Sequence, residues 1–141
     1  MPDLKKRIID ILEKPQLASF ATITKDGKPW VRYVMCMGSA DLSIRFASHI
    51  YARKVEQIKN NPEVHLTCGI QAPRVMNPYL QIQGRAMLTT DTAERNNFWS
   101  DNLKNIFKGP DDPQYGVIIL TPYRIELCNP REHEPEVLEI N

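Results

Sequence analysis

Asp26-Gly27 stands between two short runs of β-forming residues, and that spacing constrains the fold more than any other feature. Asp-Gly supplies the positive backbone angles of a two-residue hairpin turn at little steric cost. Before it, residues 16–24 carry Leu17, Ala18, Phe20, Ala21 and Ile23, with Thr22 and Thr24 favouring extended backbone. After it, residues 29–37 form the return strand. Gly38 to Asp41 turn the chain again, and Leu42 to Ala47 make a third strand. Parallel neighbours need a crossover of about a dozen residues or more. None separates these three strands, so a doubly wound parallel fold is disfavoured and an antiparallel sheet is expected.

The remaining elements extend this pattern. Asp3 caps a first helix whose Leu4, Ile8, Ile11 and Leu12 share one face, and Pro15 stops it. A second helix runs from about Tyr51 to Asn60 and ends at Asn61-Pro62. Val64 to Ile70 read as a fourth strand, residues 71–78 as a proline-bearing loop, and Tyr79 to Leu88 as a fifth strand. Gly84 marks a bulge or a close approach within that strand. Asp91 caps a third helix reaching about Phe107, and residues 108–113 break the chain. Val117 to Leu120 and Tyr123 to Cys128 form two last strands around Thr121-Pro122. From Pro130 the chain reads as a loosely ordered acidic tail. Seven strands, mostly joined by short turns, with three helices predict a mainly β domain over residues 1–141, an antiparallel barrel with peripheral helices.

Bulk properties exclude more than they assign. Net charge is +1, which gives no argument for nucleic acid or for a membrane surface. No apolar run approaches the ~18 residues that span a bilayer, and the charged N-terminus lacks a signal-peptide core. A cytoplasmic protein is expected. Cys36, Cys68 and Cys128 lie far apart, with no Cys/His cluster, so neither a metal site nor a disulfide framework is expected. They read as core or near-core thiols.

The chemistry concentrates at Phe46-Ala47-Ser48 and the helix that follows, with Arg53 and Lys54 in its first turns. Helix N-termini attract anions through unpaired N–H groups and the helix dipole. Ser48 reads either as a simple helix cap or as a phosphate donor, and Arg53 and Lys54 either as surface residues or as its cationic partners. On the second strand Trp30, Arg32, Val34 and Cys36 share one face, and Val31, Tyr33, Met35 and Met37 the other. Arg32 thus sits among apolar residues, so its charge must reach solvent or find an anion. Phe98 and Trp99 are core aromatics or a stacking surface. His49, His65 and Arg131-Glu132-His133 form no catalytic or metal-ligand pattern. There is no nucleophile elbow, P-loop, GxGxxG or HExxH, so any hard chemistry falls to a cofactor.

Further motifs complete an ordered series. Leu17-Ala18-Ser19-Phe20-Ala21-Thr22 precedes Asp26-Gly27 and Val31-Arg32. Phe46-Ala47-Ser48, Ala52-Arg53-Lys54-Val55-Glu56-Gln57-Ile58 and Asn61-Pro62-Glu63-Val64 follow. Gln83-Gly84-Arg85-Ala86, residues 109–113 and Leu120-Thr121-Pro122-Tyr123-Arg124-Ile125-Glu126 close the series. In this order and spacing, over about residues 5–129, the chain resembles the split-barrel flavin-binding family that includes pyridoxamine phosphate oxidase, especially its small general stress protein branch.

The resemblance implies an FMN-binding split barrel of antiparallel Greek-key type, a homodimer with cofactor at its interface. It places Arg32, Lys54 and Arg53 at the phosphate, with Ser48 donating to it, and Val34 and Met35 along the flavin ring. Ala47 closes the third strand beside them, Tyr79 touches the flavin, and Trp99 flanks the ring. It implies a flavin-dependent reductase or oxidase of unknown substrate, drawing electrons from a donor such as a reduced nicotinamide. Two departures bear on this: Ala52 and Met37 stand where the family has a hydroxyl and a substrate-phosphate lysine. Oxidation of a vitamin phosphate is therefore not expected. The thinner phosphate shell leaves open a non-catalytic stress or sensor protein, or a deazaflavin or haem in place of FMN.

Overall fold

Alternating inward and outward side chains roll six strands into one closed barrel. The computed structural model describes residues 3–74 and 76–141. In chain order the elements are α1 (Leu4–Leu12), β1 (Gln16–Ile23), β2 (Pro29–Gly38), β3 (Ile44–His49) and α2 (Arg53–Asn60). Then come β4 (Glu63–Cys68), β5 (Tyr79–Thr89), α3 (Thr92–Phe98), a 3-10 turn at Asp101–Asn105, β6 (Tyr115–Cys128) and β7 (Glu136–Glu139). The sheet runs β3-β2-β1-β4-β5-β6-β7, and β3 also pairs with β6, which closes the barrel. All pairings are antiparallel. Phe20, Ile44, Phe46, Leu66, Ile82 and Leu120 fill the interior, fully buried. α2 seats its stripe of Val55 and Ile58 in that same core.

Closure is uneven. β1 and β2 pair along their length, but β2 meets β3 only at Met37↔Arg45 and Gly38↔Ile44. From Pro29 to Cys36, the β2 edge that faces β3 has no strand partner among the described residues. The barrel is split there.

Several expected boundaries move for physical reasons. β3 begins at Ile44, not Leu42, because Leu42 adopts a positive φ of 73° inside a turn where Asp41 accepts from the Ser43 amide and hydroxyl. β4 ends at Cys68, where Gly69 turns the chain at φ 116°. The loop expected over 71–78 includes Val75, which lies outside the described residues. The two strands expected around Pro122 are one strand of 14 residues. Pro122 is tolerated because it faces Gly84 at a register shift, the bulge expected at that glycine. A Cβ on Gly84 would lie 2.6 Å from the Thr121 carbonyl oxygen and 2.7 Å from Leu120 Cδ2.

The long third helix does not form. Asp91 caps it, but it stops at Phe98, and Trp99 is extended (φ −56°, ψ 135°) before the 3-10 turn. Asn96, Asn97, Ser100 and Asp101 favour local backbone hydrogen bonding over helix, and they cluster at this break. The break lets Trp99 pack edge-on against Tyr115, centroids 5.5 Å apart. The acidic tail is ordered too. Glu136–Glu139 adds to β6 as β7, tied by a bidentate Arg7–Glu136 pair and by Arg124–Glu139.

Candidate functional site

Arg32 points into the barrel mouth, as the strand alternation predicts, and its guanidinium is held by oxygen on several sides. Nη1 donates to Thr22 Oγ1 (2.8 Å), the Trp30 carbonyl (3.1 Å) and the Phe20 carbonyl (3.2 Å). Nη2 donates to Gln57 Oε1 (2.8 Å). β1 and β2 supply the first three oxygens and α2 the fourth. All four acceptors are neutral.

α2 brings two more cations to the same place. Arg53 is exposed and lies over the Trp30 ring at 5.5 Å, and Lys54 is half-buried. Among the described residues, none of Arg32, Arg53 and Lys54 pairs with a carboxylate. Burial and then the charge of Arg53 lower the basicity of Arg32. Burial and then Arg32 lower that of Lys54. Three cations therefore crowd one helix start without a counter-ion. The helix cap is Ala52, with no side-chain hydrogen bond, so the first-turn amides have no side-chain acceptor.

Of the two roles the sequence left open for Ser48, helix cap and phosphate donor, the structure removes the first. The helix begins at Arg53 rather than near Tyr51, after a turn through residues 50–52. Ser48 is buried within β3, and its hydroxyl donates to the His49 carbonyl at 2.9 Å.

The split groups four other predicted residues. Val34 and Met35 lie on the unpaired edge of β2, and Ala47 and Ser48 lie on β3 beyond its last pair with β2. Val34 faces inward and Met35 outward. The free β2 edge therefore leads from the cation cluster at Trp30 and Arg32 toward Ala47 and Ser48. Within this chain, Tyr79 and Trp99 are not brought to the cluster. Tyr79 opens β5 opposite Cys128, with β1 and β4 between β5 and β2. Trp99 belongs to a second small core with Phe107, Tyr115 and Val117, against which Ala47 packs.

Two residues of the site escaped the sequence reading. Thr22 donates its hydroxyl to Gln57 Oε1, so both seat Arg32. The available signals were a hydroxyl at an inward β1 position and a glutamine one helical turn after Arg53. A third feature is the outer face of β2, which is apolar where solvent-facing residues are normally polar. Val31, Tyr33 and Met35 are 63%, 74% and 60% exposed, Met37 continues the row, and Leu17 of β1 lies opposite Met35. Two surface grooves are also present, the first reaching Thr22 at the edge of the site. One, about 280 Å³, runs along Ile23, Glu63, His65 and Gln83; the other, about 260 Å³, lies between α1 and the loop before β5.

Comparison with known proteins places this geometry. Residues 4–129 match the Pyridoxamine 5'-phosphate oxidase family. The chain is 32% identical over 138 residues to General stress protein 26 of Bacillus subtilis (strain 168), covering 98% of this chain and 97% of that protein. It superposes on the crystal structure of General Stress Protein 26 from Bacillus anthracis str. Sterne with a TM-score of 0.84 at 27% identity, covering 97% and 98% of the two chains. A putative pyridoxamine 5'-phosphate oxidase from Listeria innocua gives 0.78 at 28% identity, covering 90% and 99%. With the family matched over nearly its whole length and the split barrel in place, the chain belongs to the pyridoxamine 5'-phosphate oxidase family, among its general stress protein relatives.

Proposed function

We propose that this protein is an FMN-binding oxidoreductase that works as a homodimer. The observation that carries the reading is the uncompensated cluster of Arg32, Arg53 and Lys54 at the uncapped start of α2. Such a cluster suits a phosphate dianion, because phosphate would relieve the repulsion that burial intensifies. In this reading the flavin ring would lie along the split, with Val34 and Met35 of β2 and Ala47 and Ser48 of β3 beside it. FMN, when bound, supplies reversible hydride or electron transfer. The chain's own residues bind the phosphate, orient the ring along the free β2 edge and keep water from it. No general acid or base is assigned.

The dimer reading rests on the outer strip of Leu17, Val31, Tyr33, Met35 and Met37, which a second copy would cover. It also accounts for Tyr79 and Trp99, which would reach the cofactor site across the subunit boundary. Met37 belongs to the apolar strip, and a methionine there offers no charge to a substrate phosphate. That favours a substrate other than a vitamin phosphate; the electron donor of this reading is a reduced nicotinamide.

Purified protein tests this directly. It should carry, or take up, a flavin with a characteristic visible spectrum that bleaches anaerobically with reduced nicotinamide. A protein that neither carries nor takes up FMN would refute the reading. A haem or deazaflavin spectrum would replace the cofactor, and an unbleached flavin would make the protein a carrier or sensor.

A further inference from the structure

Four other arginines each hold a glutamate: Arg7 with Glu136, Arg45 with Glu94, Arg85 with Glu63 and Arg124 with Glu126. Arg32 is partly buried, yet among the described residues it meets only two carbonyls, a hydroxyl and an amide. The amide oxygen of Gln57 accepts from both Arg32 and Thr22, and the Thr22 hydroxyl accepts from Arg32 in turn. The three side chains close a ring. A carboxylate at position 57 would orient the guanidinium as well, but it would also cancel its charge.

We propose that Gln57, seated by Thr22, is a positioning residue that aims Arg32 while leaving its charge whole, so that the site selects a phosphomonoester dianion over the same ligand without its phosphate. The identity of that ligand as a flavin rests on the function proposed above. The ring itself depends only on the hydrogen bonds described.

Two variants of the full chain, freed of bound flavin, test the proposal: Gln57→Glu and Thr22→Val. FMN and riboflavin are titrated into each, and inorganic phosphate is scored separately by the thermal shift it produces. Gln57→Glu should fold, because its carboxylate can bond Arg32 as glutamates do elsewhere in the barrel. Its FMN affinity should fall about a hundredfold, the effect of one added unit charge close behind the phosphate at an effective dielectric constant near 20. Riboflavin affinity should stay within about threefold. Thr22→Val should move FMN alone, by about tenfold, as expected for one lost hydrogen bond.

Unchanged FMN affinity in Gln57→Glu overturns the proposal. So does an equal loss for FMN and riboflavin, since that would make Gln57 a general pocket residue. Should the wild type bind no flavin, the cofactor reading fails and phosphate decides. A phosphate-induced shift lost in Gln57→Glu supports the ring; a shift kept in the variant, or absent from both proteins, overturns it.

Discussion

Replacing Lys54 by methionine should make the protein more stable and a poorer binder at once. The ammonium is half-buried beside Arg32 and without a carboxylate partner, so folding brings like charges together and strips water from one of them. Methionine keeps most of the apolar stem and removes the charge. Part of Lys54 remains in water, so screening limits the gain to about 0.5–1 kcal/mol. For 141 residues, unfolding entropy is about 0.3 kcal/mol per kelvin near the midpoint, so Tm of the flavin-free protein should rise by about 2–3 °C. Loss of a charge-assisted hydrogen bond, about 1.5–3 kcal/mol, should weaken FMN about 10- to 150-fold.

The same substitution has a pH signature. Lys54 titrates below the ordinary lysine value of 10.5 when folded, burial being the larger cause and Arg32 the smaller. Between the folded and unfolded pKa values the unfolded chain binds more protons at this site. Stability therefore rises with pH through that window, and below it the full penalty is present. The stability difference between Lys54→Met and wild type should be constant near neutral pH and shrink as pH approaches 10.5. Calorimetry of flavin-free protein and fluorescence titration with FMN measure both halves. A lower Tm, or an unchanged FMN affinity, would refute the argument that these cations are held apart from counter-ions for a ligand.

Three further outcomes follow from the geometry. Gly84→Ala should cost about 2–4 kcal/mol in denaturant unfolding, because its Cβ would lie 2.6 Å from the Thr121 carbonyl oxygen, which strand pairing holds in place. Met35→Glu, on the exposed strip, should give a monomer by analytical ultracentrifugation and should lose flavin, while folding normally; a flavin-loaded monomer would separate the strip from the site. Arg7→Ala should speed amide exchange in Glu136–Glu139 and cost about 1 kcal/mol overall, since the pair it breaks is only partly buried.

The barrel was legible in the sequence because its strands obey a local rule. Asp26-Gly27 sets β1 against β2, with Thr22 opposite Trp30 and Gln16 opposite Cys36, and alternation then decides which face is buried. Misread elements were those settled by tertiary contact. Pro122 breaks a strand in isolation, but Gly84 across the ladder absorbs it. Residues 91–107 carry helical spacing, yet the helix breaks at the polar residues around Trp99, and the packing of Trp99 on Tyr115 holds the broken form. The acidic tail looks unfit for a sheet until Arg7 and Arg124, more than a hundred residues and about a dozen residues away, supply its counter-charges.

The site divides along the same line. Arg32, Arg53 and Lys54 could be singled out from residue type and face, because a cation inside an apolar pattern needs an explanation wherever the chain puts it. Of the two readings of Ser48, the cap fails, because the helix starts five residues later at Arg53 and nothing local says so. Gln57 and Thr22 were invisible as partners, since neither is unusual alone and the bond between them joins β1 to α2. Their neutrality matters as much as their contact. A chain that places Glu94 and Glu63 against Arg45 and Arg85 also has the means to neutralise Arg32, and position 57 is where a glutamate would do it. A glutamine at that position leaves a partly buried positive charge standing, which raises the energy of the empty protein and becomes favourable only when an anion arrives. The site is therefore better read from the charges left unpaired than from the bonds that are made.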